Sequence, residues 1–503
     1  MNFRRAVYLF GLGCLLLSGL TARLLAATPA DPQPMARVHW LGLPKVTADV
    51  NSAHFMSVWR LPQTAALVNQ TLDKMSRLPG HGATNVASAL LRPLLDDLIT
   101  SEFYLEVYAT SNSVAEIGNR KWLLALRLPP DRARLWQANL PKALPEAVIS
   151  TAGDWTVVGL GTGMAAPLPA DFTARLRQPS KANSWLAADL TPAGFTAIFP
   201  TALSALNLQP ATFNLQLTLT GDVDQVRTRV TLDFSQPLNL TVPAWKVPTN
   251  LLHQPLGSFT AVRGLGPWLA TLPVWQDLQL PAPPNQVFFW SQADIHFQTF
   301  FAAPFPAATN ELARLAANLA PKANPWLATH GEGSFQWQSN PPSLEWKDAL
   351  LFSPFLKPIQ INQREYILGG LATYLEGGPQ SAPVENLSAA LGTPNLLYYQ
   401  VEQTGHQVAE NLFVLQMMRM VFHRAQIPFT SPVAVWLKNA ESCIGASTTM
   451  VTQTGRAQLT LARTSTVGFT ALELHLLADW LESPQFPRGL HTFLAPPDKI
   501  KRN

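Results

Sequence analysis

Short runs in which apolar and polar residues alternate recur along this chain of 503 residues, and they constrain its fold more than any other feature. Run 103–108 alternates in this way and is followed, after an Asn/Ser-rich turn, by the apolar run 122–128. Period-two alternation is typical of strands with one buried face. Further hairpins are predicted to turn at 153–154 and 221–222. Strand, helix and hairpin alternate too irregularly for a parallel doubly wound sheet. The sequence therefore predicts an α+β fold with antiparallel sheets covered by helices.

The same strand, helix and hairpin pattern returns along the chain, so we expect several α+β units. Pro-rich stretches at 237–255 and 377–383 are the best linkers between them. The predicted units are a signal segment at 1–27, a first α+β unit at 28–180, a second unit at 181–245, an aromatic-rich unit at 246–380 and a C-terminal unit at 381–503.

Helices are predicted where apolar residues recur at helical spacing. The clearest begins at Pro62 and ends near Arg77, where Pro79-Gly80 follows, and its stripe includes Leu67, Leu72 and Met75. Segment 407–424 is apolar over much of its circumference, which is more typical of a core helix than of a membrane or partner-binding helix. Other helices are predicted at 85–99, 131–140, 192–206, 267–272, 307–319 and 469–482.

The N-terminus has the order of a secretory signal peptide. Arg4 and Arg5 precede an apolar run from Ala6 to Leu20, and we place the cleavage site after Ala27, where small residues lie. The apolar run is shorter than the 18 or so residues expected of a spanning helix. The alternative is an uncleaved N-terminal anchor. We expect a periplasmic or extracellular protein that meets the membrane, if at all, through an uncleaved signal.

Charge is scarce, at 14% of residues. Loss of residues 1–27 would remove three arginines and no acidic residue, and so would lower the formal net charge from +4 to +1. Binding to nucleic acid through a basic face requires clustered cations, so no nucleic-acid partner is expected. The abundance of Trp and Phe argues against disorder.

No motif identifies a catalytic, cofactor or metal site. Gly159, Gly161 and Gly163 form G-x-G-x-G, but prolines follow where a helix would have to begin, so a strand entering a turn is the better interpretation. After signal cleavage Cys443 would be the lone thiol, and we expect it to be buried and inert. The histidines lack metal-ligand spacing. We therefore predict no catalytic residue, no cofactor and no metal ligand.

The polar residues of the last predicted helix form the closest cluster of titratable groups. Glu473, His475, Asp479 and Glu482 lie on it, while Phe469, Leu472, Leu476 and Trp480 are expected to form its buried stripe. A solvated helix face is the expected arrangement. A metal or acid–base site is the alternative.

Aromatic density is high between 258 and 301. If these side chains are buried, they form a core, and this is the expected arrangement. If they are exposed, they form a patch for a ligand or a partner. The candidates for that patch are Trp268, Trp275, Trp290 and Phe300.

Two stretches carry a resemblance to a known group of proteins. Segments 258–269 (SFTAVRGLGPWL) and 468–481 (GFTALELHLLADWL) resemble parts of uncharacterised exported bacterial proteins, and the similarity covers most of the mature chain. The resemblance implies a bacterial cell-envelope setting. It supplies no reaction, cofactor or catalytic residue.

Three functional hypotheses follow. The leading one is an exported, non-enzymatic cell-envelope protein that binds an envelope component or another protein through sheet edges or an apolar groove. The second is a hydrolase-like envelope enzyme whose active-site residues are dispersed in sequence. The third is a structural subunit of an envelope assembly.

Overall fold

The fold is described from a computed structural model. It describes residues 34–77, 85–109, 120–161, 168–177, 184–194, 213–238, 240, 242–253, 255–272, 275–276, 279, 282–292, 298–349, 353–372, 383–422, 427–483 and 486. The predicted signal peptide, and all but the first residues of the helix predicted at 192–206, lie outside these ranges.

The strands, in chain order, are β1 Ala36–Trp40, β2 Phe103–Ala109, β3 Arg120–Leu126, β4 Val148–Ala152, β5 Trp155–Leu160, β6 Leu186–Leu190, β7 Phe213–Asp222, β8 Gln225–Phe234, β9 Leu256–Arg263, β10 Gln286–Gln292, β11 Thr299–Pro304, β12 Ser334–Ser339, β13 Pro342–Lys347, β14 Phe355–Ile361, β15 Arg364–Gly370, β16 Leu396–Gln403, β17 Ala446–Gly455 and β18 Gln458–Ser465.

The helices are α1 Leu43–Ala48, α2 Ala53–Trp59, α3 Pro62–Ser76, α4 Asn85–Leu95, α5 Asp97–Thr100, α6 Pro130–Ala143, α7 Ala170–Arg177, α8 Gly266–Thr271, α9 Ala308–His330, α10 Pro383–Leu391, α11 Thr404–Val421, α12 Pro432–Ala440 and α13 Ala471–Glu482. Short 3₁₀ turns lie at Val50–Ser52, Thr249–Leu251 and Glu441–Cys443.

All the described strands join one antiparallel sheet. Their spatial order is β4-β5-β3-β2-β1-β6-β7-β8-β18-β17-β16-β9-β10-β11-β15-β14-β13-β12. The predicted α+β class is thus confirmed, and the separate sheets that the sequence suggested are a single sheet. The division into four units remains a prediction.

The sheet consists of two halves with the same topology. In the first half β1 lies between β2 and β6, and in the second half β9 lies between β10 and β16. Each half ends at the centre of the sheet in a hairpin, β7–β8 or β17–β18. Strands β8 and β18 pair with each other and join the halves. The second half also has an additional hairpin, β12–β13, beyond β14.

The register at the centre obeys two-fold symmetry. Arg229 of β8 lies opposite Ala462 of β18. Arg229 is four residues after Gln225, the first residue of β8, and Ala462 is four residues after Gln458, the first residue of β18. An axis perpendicular to the sheet between Arg229 and Ala462 therefore relates the two strands. Because the axis is perpendicular, equivalent residues of the two halves lie on the same sheet face.

One sheet face, here called the helical face, is covered by most of the helices. In the part of the chain that the structure describes, α7 and α10 pack on the other face, here called the opposite face. On it α7 places Phe172 and Leu176 against Trp155 in the first half, and α10 covers a larger core in the second half. That core includes Phe259, Phe288, Trp290, Phe300, Tyr366 and Leu368, packed against Leu387 and Leu391 of α10.

Candidate functional site

An apolar groove of about 390 Å³ lies among the helices of the helical face. Helices α2 and α3 of the first half form one wall, with side chains such as Val58 and Leu72. Helices α12 and α13 of the second half form the other, with Trp436 and Leu474. The groove thus lies where the two halves of the molecule meet. Its volume falls within the range usual for small-molecule sites.

The wall formed by α3 is the apolar stripe that the sequence predicts. Leu67, Val68, Leu72 and Met75 all line the groove. Pro62 is the first residue of α3, and the extended backbone of Leu61 before it turns the chain sharply out of α2. The turn brings the two helices of this wall together.

A hydrogen-bonded chain connects the two walls. The Thr64 hydroxyl donates to the Val58 carbonyl at 2.7 Å and accepts from Trp436 Nε1 at 2.8 Å. The Thr71 hydroxyl donates to the carbonyl of Leu67. Both hydroxyls of the lining are therefore bonded within the protein. An occupant of the groove would meet aliphatic and aromatic surface.

The second wall is fixed by caps at the N-termini of its helices. The Ser431 hydroxyl accepts from the Ala434 N–H at the start of α12. At the start of α13, Thr470 and Glu473 form a reciprocal capping box. Phe469, just before that cap, lines the groove with 39% of its surface exposed. The groove therefore opens to solvent beside the Phe469 ring.

Behind this wall, α13 buries polar groups that the sequence analysis assigned to solvent. Asp479 is buried and accepts from Arg419 Nη2 at 2.7 Å, and His475 donates through Nε2 to the Val408 carbonyl. Glu473 accepts from both terminal nitrogens of Arg463. The prediction of a solvated face was wrong for His475 and Asp479, which a carbonyl and a cation of α11 satisfy inside the fold, whereas Glu473 and Glu482 are half-buried.

The predicted buried stripe of α13 is displaced for the same reason. Leu474 and Ala478 are buried together with His475 and Asp479, whereas Phe469 is exposed. Residues Leu472, Leu476 and Trp480 are half-buried. A stripe chosen by hydrophobicity alone missed the face that packs on α11.

Burial affects the pKa values of the titratable groups in this layer. It lowers the pKa of His475 to about 4; the nearby charge of Arg419 acts in the same direction, and the bond to Val408 opposes it. Burial also lowers the pKa of Arg419, against the attraction of Asp479. His475 is therefore neutral at physiological pH.

Glu402 on β16 is a second buried carboxyl group of the helical face. Its oxygens accept from the Ala471 N–H at 2.7 Å, Gln400 Nε2 at 2.8 Å, the Thr404 hydroxyl at 3.0 Å and, more weakly, the Ser447 hydroxyl. Burial raises its pKa, although the bonds from Ala471 and Thr404 favour the ionised form. Glu402 therefore ties the first residue of α13 to the sheet.

The aromatic residues predicted as a ligand patch do not form one surface. Trp290 and Phe300 are almost fully buried in the core of the opposite face, with ring centroids 5.7 Å apart. Trp275 packs against the core beneath α9 on the helical face, which includes Ala303 and Ile367. Trp268 is half-buried in α8. The sheet therefore separates members of the proposed patch.

The smaller sequence predictions have mixed outcomes. Gly159 lies within β5 and Gly161 follows it with positive φ, as expected of a strand entering a turn; Gly163 lies outside the described residues. Cys443 is a free thiol that is half-buried beside the core of α12 and α13, and not buried as expected. The helix predicted at 407–424 is α11, and half of its residues are buried.

Within the described residues, no group of three His, Cys, Asp or Glu side chains is arranged to hold a metal ion. In the same ranges, no helix combines the length and apolar character needed to cross a membrane. Comparisons with protein families, curated proteins and solved structures find no match.

Proposed function

We propose that this chain is an exported, non-enzymatic protein of the bacterial cell envelope that binds an envelope component through the apolar groove. The groove between α2, α3, α12 and α13 is the observation that carries the proposal. It is of ligand size, it is open to solvent at Phe469, and both of its hydroxyls bond within the protein.

The lining favours a hydrocarbon chain as the bound group. Burial of apolar surface contributes roughly 25 cal/mol per Å² to the free energy of binding. The groove offers few polar groups that could bind a ligand in another way. A polar ligand would lose its bonds to water and find no replacement there, at a cost of about 1 to 3 kcal/mol for each group. An acyl chain of an envelope lipid matches these properties.

The sequence supports the setting. The order of residues 1–27 is that of a signal peptide, and segments 258–269 and 468–481 resemble exported bacterial proteins. We place the mature protein in the periplasm or outside the cell. Retention through an uncleaved signal is the alternative.

The buried titratable groups near the groove support binding rather than catalysis. Glu402, Asp479 and His475 all bond to protein partners that hold helices in place. Such bonds stabilise the layer behind the groove wall.

The test is a titration of the mature protein with N-phenyl-1-naphthylamine, a neutral apolar fluorophore. Leu477 lines the groove, whereas its neighbour Leu476, also half-buried on α13, does not. We expect saturable binding, an at least tenfold higher Kd in Leu477→Gln, and little change in Leu476→Gln. Binding that is absent in the wild type, or equally affected by both variants, would contradict the proposal.

A further inference from the structure

A row of charged side chains crosses the opposite face of the sheet in the first half. Asp189, Arg37 and Glu106 are direct cross-strand partners on β6, β1 and β2. Arg175 of α7 bonds to Glu106 at 2.7 Å, and the Tyr108 hydroxyl donates to the same carboxylate. We call Asp189, Arg37 and Glu106 the charged row.

The two-fold symmetry of the sheet identifies the residues of the second half that are equivalent to the charged row. The equivalent row is Val401, Phe259 and Trp290, which are again cross-strand partners on three adjacent strands. Phe259 and Trp290 are fully buried there, and Val401 packs against them. The same sheet position is thus compatible with a closed apolar core. Of the charged row, Glu106 is buried, Arg37 is half-buried and Asp189 is exposed. The cost of burying charge therefore falls on Glu106, and Arg37 and Arg175 offset it.

The arginines retain binding capacity. Arg37 makes an ion pair of 3.5 Å with Glu106, and its side chain is 37% exposed. Arg175 is 31% exposed, whereas Glu106 is 4% exposed. The Nε atoms of both arginines are buried, and the Nε of Arg37 is the atom that lies 3.5 Å from Glu106, so an incoming group would meet the terminal nitrogens. The carboxylate thus lies at the bottom of the cluster, and the guanidinium groups lie nearer to solvent.

The geometry points to an oxyanion site in which the exposed fork of Arg37, supported by Arg175, binds a phosphate or carboxylate group. A planar guanidinium matches such groups with two parallel hydrogen bonds. This site lies across the sheet from the apolar groove and is independent of the proposed lipid binding.

Two carboxylates lie beside the two guanidinium groups. Glu106 offsets one of the two guanidinium charges. Asp189, on the other side of Arg37, opposes an incoming anion when it is ionised. Partial burial raises the pKa of Asp189, although the charge of Arg37 lowers it.

Two substitutions in the charged row should therefore act in opposite directions. In calorimetric titrations with inorganic phosphate and with acetate, Arg37→Gln should weaken binding at least about tenfold. Asp189→Asn should strengthen it severalfold, because it removes a negative charge. Arg37→Lys keeps the charge but loses the fork, and it tests the site even if Arg37→Gln does not fold. Arg229→Gln, at an exposed arginine on the same sheet face, is the matched control.

A second set of measurements separates the sources of the anion. Flotation with phosphatidylcholine vesicles, with and without phosphatidylglycerol, tests a lipid phosphate against the free ion. Binding of either source that Arg37→Gln abolishes and Arg229→Gln preserves would support the site. If neither source binds, or if the two arginine variants lose affinity equally, the inference is wrong.

Discussion

Arg419 of α11 and Asp479 of α13 form an ion pair of 2.7 Å in which both side chains are about 95% buried or more. Gln416 extends this pair, because its Oε1 accepts from Arg419 Nη1. The pair joins two helices behind the groove wall. Isolated charges in such a place are costly, so each partner depends on the other.

Removal of one partner should therefore destabilise the protein strongly. We expect Asp479→Asn to lower the free energy of unfolding by about 3 to 5 kcal/mol, because Arg419 would remain buried without its counter-ion. Urea denaturation followed by circular dichroism measures this change. The control is Asp171→Asn, at an exposed aspartate of α7, where about 0.5 kcal/mol or less is expected. Equal losses in both variants would show that the buried pair has no special role.

His475 should make the fold sensitive to mild acid. Its folded pKa of about 4 lies below the ordinary value near 6.5, so the folded state favours the neutral ring. Its contribution is fully present above pH 6.5 and is lost as pH falls towards 4. Between pH 7 and pH 5, the free energy of unfolding of the wild type should fall by roughly 2 kcal/mol more than that of His475→Gln. The exposed His54 provides the control variant, His54→Gln. A wild-type loss that persists in His475→Gln would assign the acid sensitivity to other groups.

Glu102 should stabilise the first half at neutral pH. It accepts from Lys45 Nζ at 2.7 Å, Arg127 Nη1 at 2.9 Å and His39 Nε2 at 3.2 Å. Burial alone would raise the pKa of Glu102, but these partners outweigh it and lower the value to about 2. The stabilisation is therefore present above about pH 4.5 and is lost as pH falls towards 2.

The variant Glu102→Gln should lower the free energy of unfolding by roughly 2 kcal/mol at pH 7. The loss is no larger because Lys45 and Arg127 are half-exposed, so that solvent screens their charges. Urea melts at pH 7 and pH 3 measure the difference from wild type, which should shrink at the lower pH. Glu146→Gln, at an exposed residue before β4, is the control. A difference that stays constant with pH would contradict the ionic explanation.

Export should leave a defined N-terminus. The intact mass of the secreted protein is expected to correspond to a chain that starts at Thr28 or within a few residues of it. Replacement of the small residue in Ala27→Lys should hinder cleavage and increase the share of precursor. Ala30→Lys, beyond the predicted site, should have little effect. A wild-type protein that keeps Met1 would favour the uncleaved anchor.

Local patterns in the sequence predicted many elements but few of their partners. The hairpin β4–β5 and its turn at Gly153 follow from strand alternation and a turn residue. The helix predicted at 307–319 instead continues to His330, through Pro321 and Pro325, because Ala323 and Leu327 are buried beyond them. Tertiary packing therefore extends α9 past residues that usually end a helix.

The sequence predicted only one wall of the groove, because the other wall depends on tertiary contacts. The stripe of α3 gave one groove wall, but the opposing residue Trp436 lies 372 positions from its hydrogen-bond partner Thr64. No local pattern identifies such a partner. The burial of His475 and Asp479 was likewise hidden, since the groups that satisfy them, Val408 and Arg419, lie on another helix.

The pairing of β8 with β18 affects the order in which the chain folds and the way in which it can misfold. These strands are far apart in sequence, so their union has a high contact order and should form late. Until then each half exposes an uncapped edge with main-chain donors and acceptors ready to pair. Because the register is self-complementary about its axis, two copies of one half could form the same main-chain ladder along this edge. A chain interrupted between the halves would therefore be prone to form a homodimer in place of the monomeric sheet.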